Sequence, residues 1–311
     1  MCKRTVLSFI VILAGIAAVY PVLNRKDEVK MTQVASTVDA ERQNEFRQLM
    51  QELAKRAAKF PGEAGILIKD LETNQTIMIN SSRLFPSASL VKVPIMAAYF
   101  QAESEGKLKL TDTLTLERKH KVRSSSKLYF ARTGTKFMIK DLIERMITES
   151  DNTASNMLVD NLGFGYLNQK FVEFGLKNTD LRRGIMDLAW RQAGIENYTT
   201  AEDMAFLLEK MYRRELISPE ASDEMIAVLK RQKVNDRIPR MLPNGLVIAH
   251  KTGLLKDTVS DCGIVYTPKG DFVICVLTAE IRSFRSAKTF IGRVAASAYD
   301  RCYKKPSEEK I

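Results

Sequence analysis

The stretch LVIAHKTGLLKDTVSDCGIVYTPKGDFVICVLT, residues 246–278, decides the fold of this chain. It contains three runs of aliphatic and β-branched residues separated by polar turns, a pattern that predicts β-strands. Pro268-Lys269-Gly270 joins the last two runs, which indicates a hairpin. A second hairpin is predicted far upstream, where the short apolar runs 65–68 and 76–79 flank a polar turn. The three predicted downstream strands are Leu246–His250, Ser260–Thr267 and Asp271–Thr278.

The rest of the chain is predicted to be mainly helical. Apolar residues recur at helical spacing in 41–59 and 284–303, and a long helical stretch fills 89–230. Because lone hairpins are barely stable in water, the two sets of strands must join. We therefore predict an α/β fold, in detail an α+β three-layer sandwich. A five-stranded antiparallel sheet is flanked by helices, and an all-helical lobe is inserted between its halves.

The predicted boundaries of the two lobes indicate where a ligand would bind. The sheet lobe comprises residues 41–88 and 232–303, and the helical lobe comprises residues 89–231. A cleft between two lobes is the usual place for a ligand site. A tether (27–40) and a short tail (304–311) flank this single domain.

The amino terminus indicates export. Lys3 and Arg4 precede an uncharged run from Thr5 to Asn24 that is rich in Val, Ile, Leu and Ala. A basic segment followed by an apolar run is typical of an export signal, and this run is also about long enough to span a bilayer. Residues 1–26 are therefore either a cleaved signal peptide or a membrane anchor. Either alternative places the domain outside the cytoplasm, in the periplasm or the extracellular space.

Composition excludes several classes of function. The 311 residues carry a formal net charge of +11, which favours anionic partners such as a lipid surface or a wall polymer. No nucleic-acid-binding motif accompanies this charge, so nucleic acid is not expected as a partner. Two histidines and four scattered cysteines do not form a metal-ligand pattern, and we expect neither metal nor cofactor. The basic cluster from Arg118 to Lys127 either contacts an anionic surface or is a solvated loop.

The positions of the cysteines allow two interpretations of their oxidation state. Cys262 and Cys275 fall on two predicted neighbouring strands and could form a disulfide. Buried reduced thiols are the alternative. With Cys302, the exported part holds an odd number of cysteines, so at least one thiol stays unpaired within a single chain.

Three short motifs carry the chemistry. Ser89-Leu90-Val91-Lys92 opens the first middle helix, Ser150-Asp151-Asn152 lies at a helix junction, and Lys251-Thr252-Gly253 ends the first downstream strand. Each motif alone could be a helix cap or a strand end. All three, in this order and in these structural contexts, indicate a serine nucleophile with its accessory groups.

The chemistry of the set is coherent. A serine hydroxyl is a poor nucleophile unless a neighbouring base removes its proton, and Lys92 lies one helical turn from Ser89. Lys92 can act as that base only when neutral, and burial beside a second cation, Lys251, lowers a lysine pKa. The backbone N–H groups of Ser89 and Leu254 could form an oxyanion hole.

The remaining motif residues have substrate-directed roles. Ser150 would relay a proton to the leaving nitrogen, and Asn152 would hold a substrate amide. Gly253 suits a place where the substrate backbone approaches a strand closely. The predicted catalytic residues are Ser89, Lys92, Ser150 and Lys251, and the predicted substrate-binding residues are Asn152, Thr252, Gly253 and Leu254.

These motifs and their flanks resemble the class A β-lactamase and penicillin-binding protein superfamily. The resemblance is carried by 85–94, 146–156, 250–253 and 261–266, and it extends over about residues 41–303. It implies the two-lobe fold predicted above and β-lactam ring opening through an acyl-enzyme on Ser89. It also implies that Arg237, unless it is a solvated surface charge, helps to bind the substrate carboxylate.

One segment departs from the class A pattern. Class A β-lactamases carry Glu-x-x-Leu-Asn in a loop that positions the deacylating water. Here Ile185 occupies the position of the glutamate and Ala189 that of the asparagine. Asp187 is the only carboxylate nearby. It is either a substitute base or a loop-stabilising partner of a neighbouring arginine.

Three functions follow from the resemblance. The first is a β-lactamase-type serine hydrolase, with slow hydrolysis because fast deacylation needs a positioned base. The second is a D,D-peptidase or penicillin-binding protein acting on peptidoglycan peptides, which the missing glutamate and a membrane anchor both favour. The third is a sensor or binding module that is acylated once.

Overall fold

The computed structural model describes residues 29–32, 40–123 and 127–304. A sheet of six antiparallel strands has the order β1-β3-β2-β10-β9-β8. Two small two-stranded sheets, β4-β7 and β5-β6, lie outside it. The ten strands are β1 Val29–Thr32, β2 Glu63–Asp70, β3 Thr76–Ile79, β4 Phe85–Pro86, β5 Thr113–Thr115, β6 Lys136–Met138, β7 Tyr198–Thr199, β8 Val247–Leu255, β9 Thr258–Tyr266 and β10 Phe272–Ala279.

The helices lie on both faces of the large sheet. Helix α4 is interrupted at Gly163, whose φ of 75° lies outside the helical region. The α-helices of the described residues are α1 Ala40–Ala58, α2 Lys92–Ser104, α3 Ile139–Thr148, α4 Asn152–Glu173, α5 Leu188–Gln192, α6 Ala201–Tyr212, α7 Pro219–Lys230 and α8 Phe284–Ala298.

The sheet is covered on both faces because its strands are apolar on both faces. Every residue of β10 is buried, and so is every residue of β9 except the last. Sheets that are sandwiched between two helical layers have near-continuous apolar strands of this kind. One core joins α1 and α8 to one sheet face, and a second core joins the opposite face to the helical lobe.

Helix α2 is the centre of the helical lobe. Ten of its thirteen residues are buried, from Lys92 at its first position to Ala102. A helix that is apolar all round must be enclosed by other elements, and α3, α4 and α7 contact α2 here. The first residues of α2 are therefore held where the two lobes meet.

The predicted architecture is confirmed, with three differences at its margins. Residues 29–32, expected in the tether, form strand β1 at the edge of the sheet beside β3. Strand β8 continues to Leu255, so the Lys251-Thr252-Gly253 motif lies within the strand and not at its end. The last turn of the predicted carboxy-terminal helix is a π-helical turn, Tyr299–Tyr303.

The cysteines are reduced in this structure. Cys262 and Cys275 are directly opposite each other on β9 and β10, and both thiols are buried and free. Cys302 is also a buried free thiol. The second of the two readings, buried reduced thiols, is the one that the structure shows.

The predicted signal or anchor, residues 1–26, and the tail from 305 onward lie outside the described residues. Among the residues that are described, no helix is both long and apolar enough to cross a bilayer.

The pairing of β8 with β9 depends on a glycine. A Cβ at Gly263 would lie 2.5 Å from the His250 Cβ and 2.6 Å from the Ala249 carbonyl oxygen. We expect Gly263→Ala to destabilise the fold by about 1–3 kcal/mol, the usual result of overpacking. Urea denaturation measures this change.

Gly165→Ala is the matched control. Gly165 is exposed on α4, and a Cβ there would meet no atom within 4 Å. This substitution should be neutral or stabilising, since alanine is the better helix former. Equal stability of the two variants would contradict the packing argument.

Candidate active site

The predicted nucleophile, Ser89, lies on a short 3₁₀ helix, Ala88–Val91, that leads directly into α2. Side chains three residues apart eclipse one another in a 3₁₀ helix, so Ser89 and Lys92 point to the same side. Ala88 has a φ of 47°, a left-handed conformation that costs energy in a residue other than glycine. The Ser87 N–H donates to the Asn197 carbonyl at 2.8 Å and holds the start of this turn.

Lys92 is completely buried at the start of α2. Its Nζ lies 2.8 Å from the Ser150 carbonyl oxygen, 2.8 Å from Asn152 Oδ1 and 3.2 Å from Ser150 Oγ. These contacts join the first motif to the second within the helical lobe. The amine thus contacts the Ser150-Asp151-Asn152 segment and lies one turn along the chain from Ser89.

Burial lowers the pKa of Lys92 well below the ordinary lysine value. The positive charge of Lys251 lowers it further, and the Asp151 carboxylate opposes both effects. An uncharged amine can accept a proton. The shift favours the uncharged amine, the form that a general base requires.

Ser150 lies between two amines. Its Oγ is 3.2 Å from Lys92 Nζ and 3.1 Å from Lys251 Nζ. Ser150 has a φ of 56°, and Asp151 fixes this conformation by accepting hydrogen bonds from the N–H groups of Ala154 and Leu128. A hydroxyl in this position can pass a proton from one group to another, as predicted for Ser150.

Lys251 is the second buried amine. It is completely buried on β8 and donates to the Thr252 carbonyl at 2.9 Å. Burial and the charge of Arg237 lower the pKa of Lys251 to about 7, against the opposing effect of Asp261. Lys251 therefore carries a full positive charge only below neutral pH.

Arg237 is not a solvated surface charge, because only 2% of it is exposed. Its Nη1 donates to Asp236 Oδ1 at 2.6 Å, and its Nη2 lies 3.5 Å from the Gly253 carbonyl oxygen. Arg237 also lines the cleft between the lobes. With Lys251 it gives one side of the cleft a positive potential that suits a carboxylate ligand.

A buried Asp–His pair holds this side of the cleft. Asp261 Oδ1 lies 2.9 Å from His250 Nδ1, and Asp261 Oδ2 accepts a hydrogen bond from the Ile238 N–H at 3.1 Å. The pair joins β8 and β9 to the segment that carries Arg237. His250 and Asp261 lie in two of the stretches that carry the family resemblance, 250–253 and 261–266.

Gly253 makes room for the nucleophile turn. A Cβ at this position would lie 3.2 Å from the Ala88 Cβ and 3.4 Å from the Leu90 Cγ. The absent side chain thus lets β8 approach the turn that carries Ser89. Ser89, on this turn, and Leu254, on the adjacent strand, both line the cleft.

The cleft has a volume of about 460 Å³. Lys92, Lys251 and Gly253 lie behind its wall, and the two lysines reach it through Ser150. The predicted site residues that line the cleft are Ser89, Ser150, Asn152, Arg237, Thr252 and Leu254.

Ile185 also lines the cleft and is fixed in place. The Asn156 side chain accepts from the Ile185 N–H at 3.1 Å and donates to the Ile185 carbonyl at 3.3 Å. An apolar side chain therefore faces the cleft at the position where class A β-lactamases carry glutamate. It can neither bind nor deprotonate a water molecule.

Asp187 lies elsewhere. Its carboxylate caps α5 by accepting from the Trp190 N–H at 3.3 Å, and it lines a separate recess on the other side of the 184–187 segment. Among the described residues, none of the neighbouring arginines forms an ion pair with Asp187. Arg183 and Arg191 both bind Glu196, at 2.5 and 2.7 Å, and Arg182 binds Asp180.

Sequence reasoning missed several residues that line or hold the cleft. Glu196 bridges Arg183 and Arg191, and Arg191 also binds Asp257 in the β8–β9 turn at 2.7 Å. This network fixes the 183–197 loop against the sheet. Glu149 also lines the cleft, where Lys233 and Lys127 bind its carboxylate at 2.6 and 3.1 Å. Its position directly before Ser150 was the only available signal.

No group of three metal-binding side chains occurs in the part of the chain that the structure describes.

The family described as "Beta-lactamase enzyme family" matches residues 47–302 of this chain. The chain belongs to this family. Among curated relatives, the extended-spectrum β-lactamase PER-1 of Pseudomonas aeruginosa is 24% identical over 76% of this chain and 81% of its own length. A β-lactamase of Bacillus licheniformis is 25% identical over 79% of this chain and 80% of its own length.

Solved structures extend the likeness to penicillin-binding proteins. A mutant of PBP-A, determined as its acyl-enzyme complex with penicillin G, is 30% identical with a TM-score of 0.77, covering 82% of this chain and 96% of that one. A β-lactamase of Sphaerobacter thermophilus is 29% identical with a TM-score of 0.76, at the same coverages. This member of the β-lactamase family is thus a β-lactamase-like serine hydrolase.

The charge of Arg237 should control the protonation of Lys251. In Arg237→Ala a cationic neighbour is removed, so we expect the Lys251 pKa to rise from about 7 toward the ordinary lysine range. Nitrogen-detected NMR of the lysine amines over a pH series measures the midpoint, with Lys251→Arg to assign the signal. Arg237→Lys retains a positive charge and should shift the midpoint less. The same Lys251 midpoint in the wild type, Arg237→Ala and Arg237→Lys would refute the coupling between the two charges.

Proposed function

We propose that this protein is an exported serine hydrolase that β-lactams acylate on Ser89, and that it releases the product slowly. The observation that carries the proposal is the position of Ser150 Oγ between the Lys92 and Lys251 amines, in the cleft that Ser89 lines. Membership of the β-lactamase family and the likeness to a penicillin-acylated protein support it.

In the proposed acylation, the residues of the three motifs act in sequence. Lys92 takes the proton of the Ser89 hydroxyl, and Ser89 Oγ attacks the β-lactam carbonyl carbon. The N–H groups of Ser89 and Leu254 stabilise the oxyanion. When the ring C–N bond breaks, the Ser150 hydroxyl gives its proton to the leaving nitrogen and regains one from Lys92. The ring opens and an ester on Ser89 remains.

The substrate carboxylate binds on the cationic side of the cleft. Arg237 and Thr252 line this side and supply a charge and a hydroxyl, and the buried Lys251 adds its charge from behind the wall. Because the pKa of Lys251 is about 7, its ammonium is lost as the pH rises through neutrality. Affinity for an anionic substrate is therefore greater below that pH than above it.

Deacylation lacks a suitable base. Among the described residues that line the cleft, Glu149 is the only carboxylate. Lys233 and Lys127 hold it and lower its pKa, which makes it a weaker base. Ile185 faces the cleft in place of glutamate. A general base typically contributes 10²–10⁴-fold, so the Ser89 ester should persist about that much longer than one with a positioned glutamate.

A second candidate is a D,D-peptidase that acts on peptidoglycan peptides. The apolar Ile185 favours it, since a slow penicilloyl ester is compatible with transfer or hydrolysis of a peptidyl ester. The cationic pair of Lys251 and Arg237 suits the free carboxylate of a peptide carboxy terminus. Release of D-alanine from a peptide ending in D-Ala-D-Ala tests this candidate, and no release at substrate saturation would exclude it.

Ser89 should carry the covalent label. We expect intact-protein mass spectrometry to show one penicilloyl adduct on the wild type and none on Ser89→Ala, because the attacking oxygen is gone. Ser286→Ala, an exposed serine of α8, is the matched control and should label normally. Labelling of Ser89→Ala would disprove the assignment.

A carboxylate at position 185 should speed deacylation. In Ile185→Glu, the Asn156 side chain still holds the backbone, and the new carboxylate faces the cleft. We expect the deacylation rate constant to rise by about 10²-fold or more, since a general base typically contributes that much. Single-turnover kinetics with a chromogenic cephalosporin measure it. Ile185→Gln has the same size without the base and should stay slow, and an equal gain in both variants would contradict the mechanism.

A further inference from the structure

A basic groove lies between the carboxy-terminal half of α1 and the amino-terminal half of α8. Its volume is about 670 Å³, and Glu52 is the only carboxylate among its lining residues in the described chain. It has no part in the active site. The cationic residues that line it are Lys55, Arg56, Lys59, Arg285 and Arg293.

The charges of this groove are available to a ligand. Glu52 is occupied by Arg56, Arg301 and the Ser297 hydroxyl. The other four cations of the groove are exposed, and within the described residues no carboxylate forms an ion pair with them. By contrast, the predicted basic cluster at 118–127 is partly neutralised by ion pairs of Lys119 and Lys127.

The floor of the groove is apolar. The rings of Phe60 and Phe290 are 4.5 Å apart between centroids, and Pro61 adjoins them. An aromatic floor between basic walls suits an amphiphilic anion better than a small inorganic ion. Anionic phospholipids combine a charged headgroup with an apolar chain in this way.

The groove lies at the end of the sheet where the chain enters the domain. Strand β1 begins at Val29, which is opposite Ile79, and Ile79 is opposite Ile66. Val29 is therefore two strand spacings, about 10 Å, from Ile66. In this register β1 runs in the same direction as β2, so Val29 lies toward the end of the sheet where β2 begins at Glu63, two positions after the groove residue Pro61.

The chain before Val29 is too short to let the domain move far from a membrane. Four residues, 25–28, separate Val29 from the apolar run Thr5–Asn24. Even fully extended, the five residue steps from Asn24 to Val29 span only about 18 Å. A bilayer that holds the run must therefore lie close to this end of the sheet.

We propose that the basic groove is a membrane-facing surface that binds anionic phospholipid headgroups when the run 5–24 spans the bilayer. The inference is independent of the acyl-enzyme chemistry and rests on the predicted membrane span. Charge complementarity and the short connection support the same orientation. Headgroup phosphates contact the lysines and arginines, while the aromatic floor meets the upper part of the acyl chains.

Amine labelling of the full chain in lipid nanodiscs tests the proposal. Discs of phosphatidylcholine alone are compared with discs that also contain phosphatidylglycerol, and peptide mass spectrometry reports labelling of Lys55 and Lys59. We expect labelling to fall about fivefold in the anionic discs, in keeping with the attraction of basic residues to an anionic surface. Lys140, exposed on α3, should label equally in both. Salt at about 1 M should abolish the difference.

A charge-reversal variant and a soluble polyanion complete the test. Arg285→Glu with Arg293→Glu should remove the protection of both lysines, whereas Lys140→Glu should leave it intact. Equal labelling of Lys55 and Lys59 in the two kinds of disc would overturn the proposal. Protection by soluble polyphosphate without protection by the anionic discs would also overturn it, since the groove would then serve a soluble polymer.

Discussion

The site depends on keeping the amine of Lys92 out of water. Burial at the start of α2 favours the neutral form, and the charge of Lys251 across the Ser150 hydroxyl favours it further. The amine donates hydrogen bonds to the Ser150 carbonyl and to Asn152 Oδ1, so its burial does not leave an unpaired polar group. The enclosed position of α2 in the helical lobe, the turn of Ser89 and the glycine on β8 all serve to hold this arrangement together.

Much of the fold could be predicted because the strands and helices show their own hydrophobic periodicity and are bounded by turn residues. The strands β9 and β10 are continuous apolar runs separated by a Pro-Lys-Gly turn, and the covering helices show helical spacing. Strand β1 was not predicted, since four alternating residues, Val-Lys-Met-Thr, are a weak signal within a polar stretch and form a strand here by pairing with the edge of β3. The left-handed conformations at Ala88 and Ser150 also escaped prediction, because tertiary packing imposes them on residues that do not favour them.

The site was predictable where chemistry is encoded by neighbours in sequence, and not where it depends on loops meeting in space. The three motifs made Ser89, Lys92, Ser150 and Lys251 candidates, and in the structure both amines contact Ser150 Oγ while Ser89 lines the same cleft. Glu196 pairs with arginines 13 and 5 residues away, a spacing with no helical or strand period, and so it was not found. Asp187 was a candidate base because it is the carboxylate nearest in sequence to Ile185. In the structure it is the N-cap of α5 and lines a recess separate from the cleft.

The central claim is that neutral Lys92 removes the Ser89 proton, and Lys92→Arg tests it most directly. Arginine is a basic side chain of similar reach, but it stays protonated and so cannot accept the Ser89 proton. We predict that the rate constant for penicillin acylation falls by about 10²-fold or more in this variant, with circular dichroism confirming its fold. In the wild type the same rate constant should fall with acidity as Lys92 becomes charged. Acylation of the variant at the wild-type rate, or a wild-type rate that does not change with pH, would contradict the account.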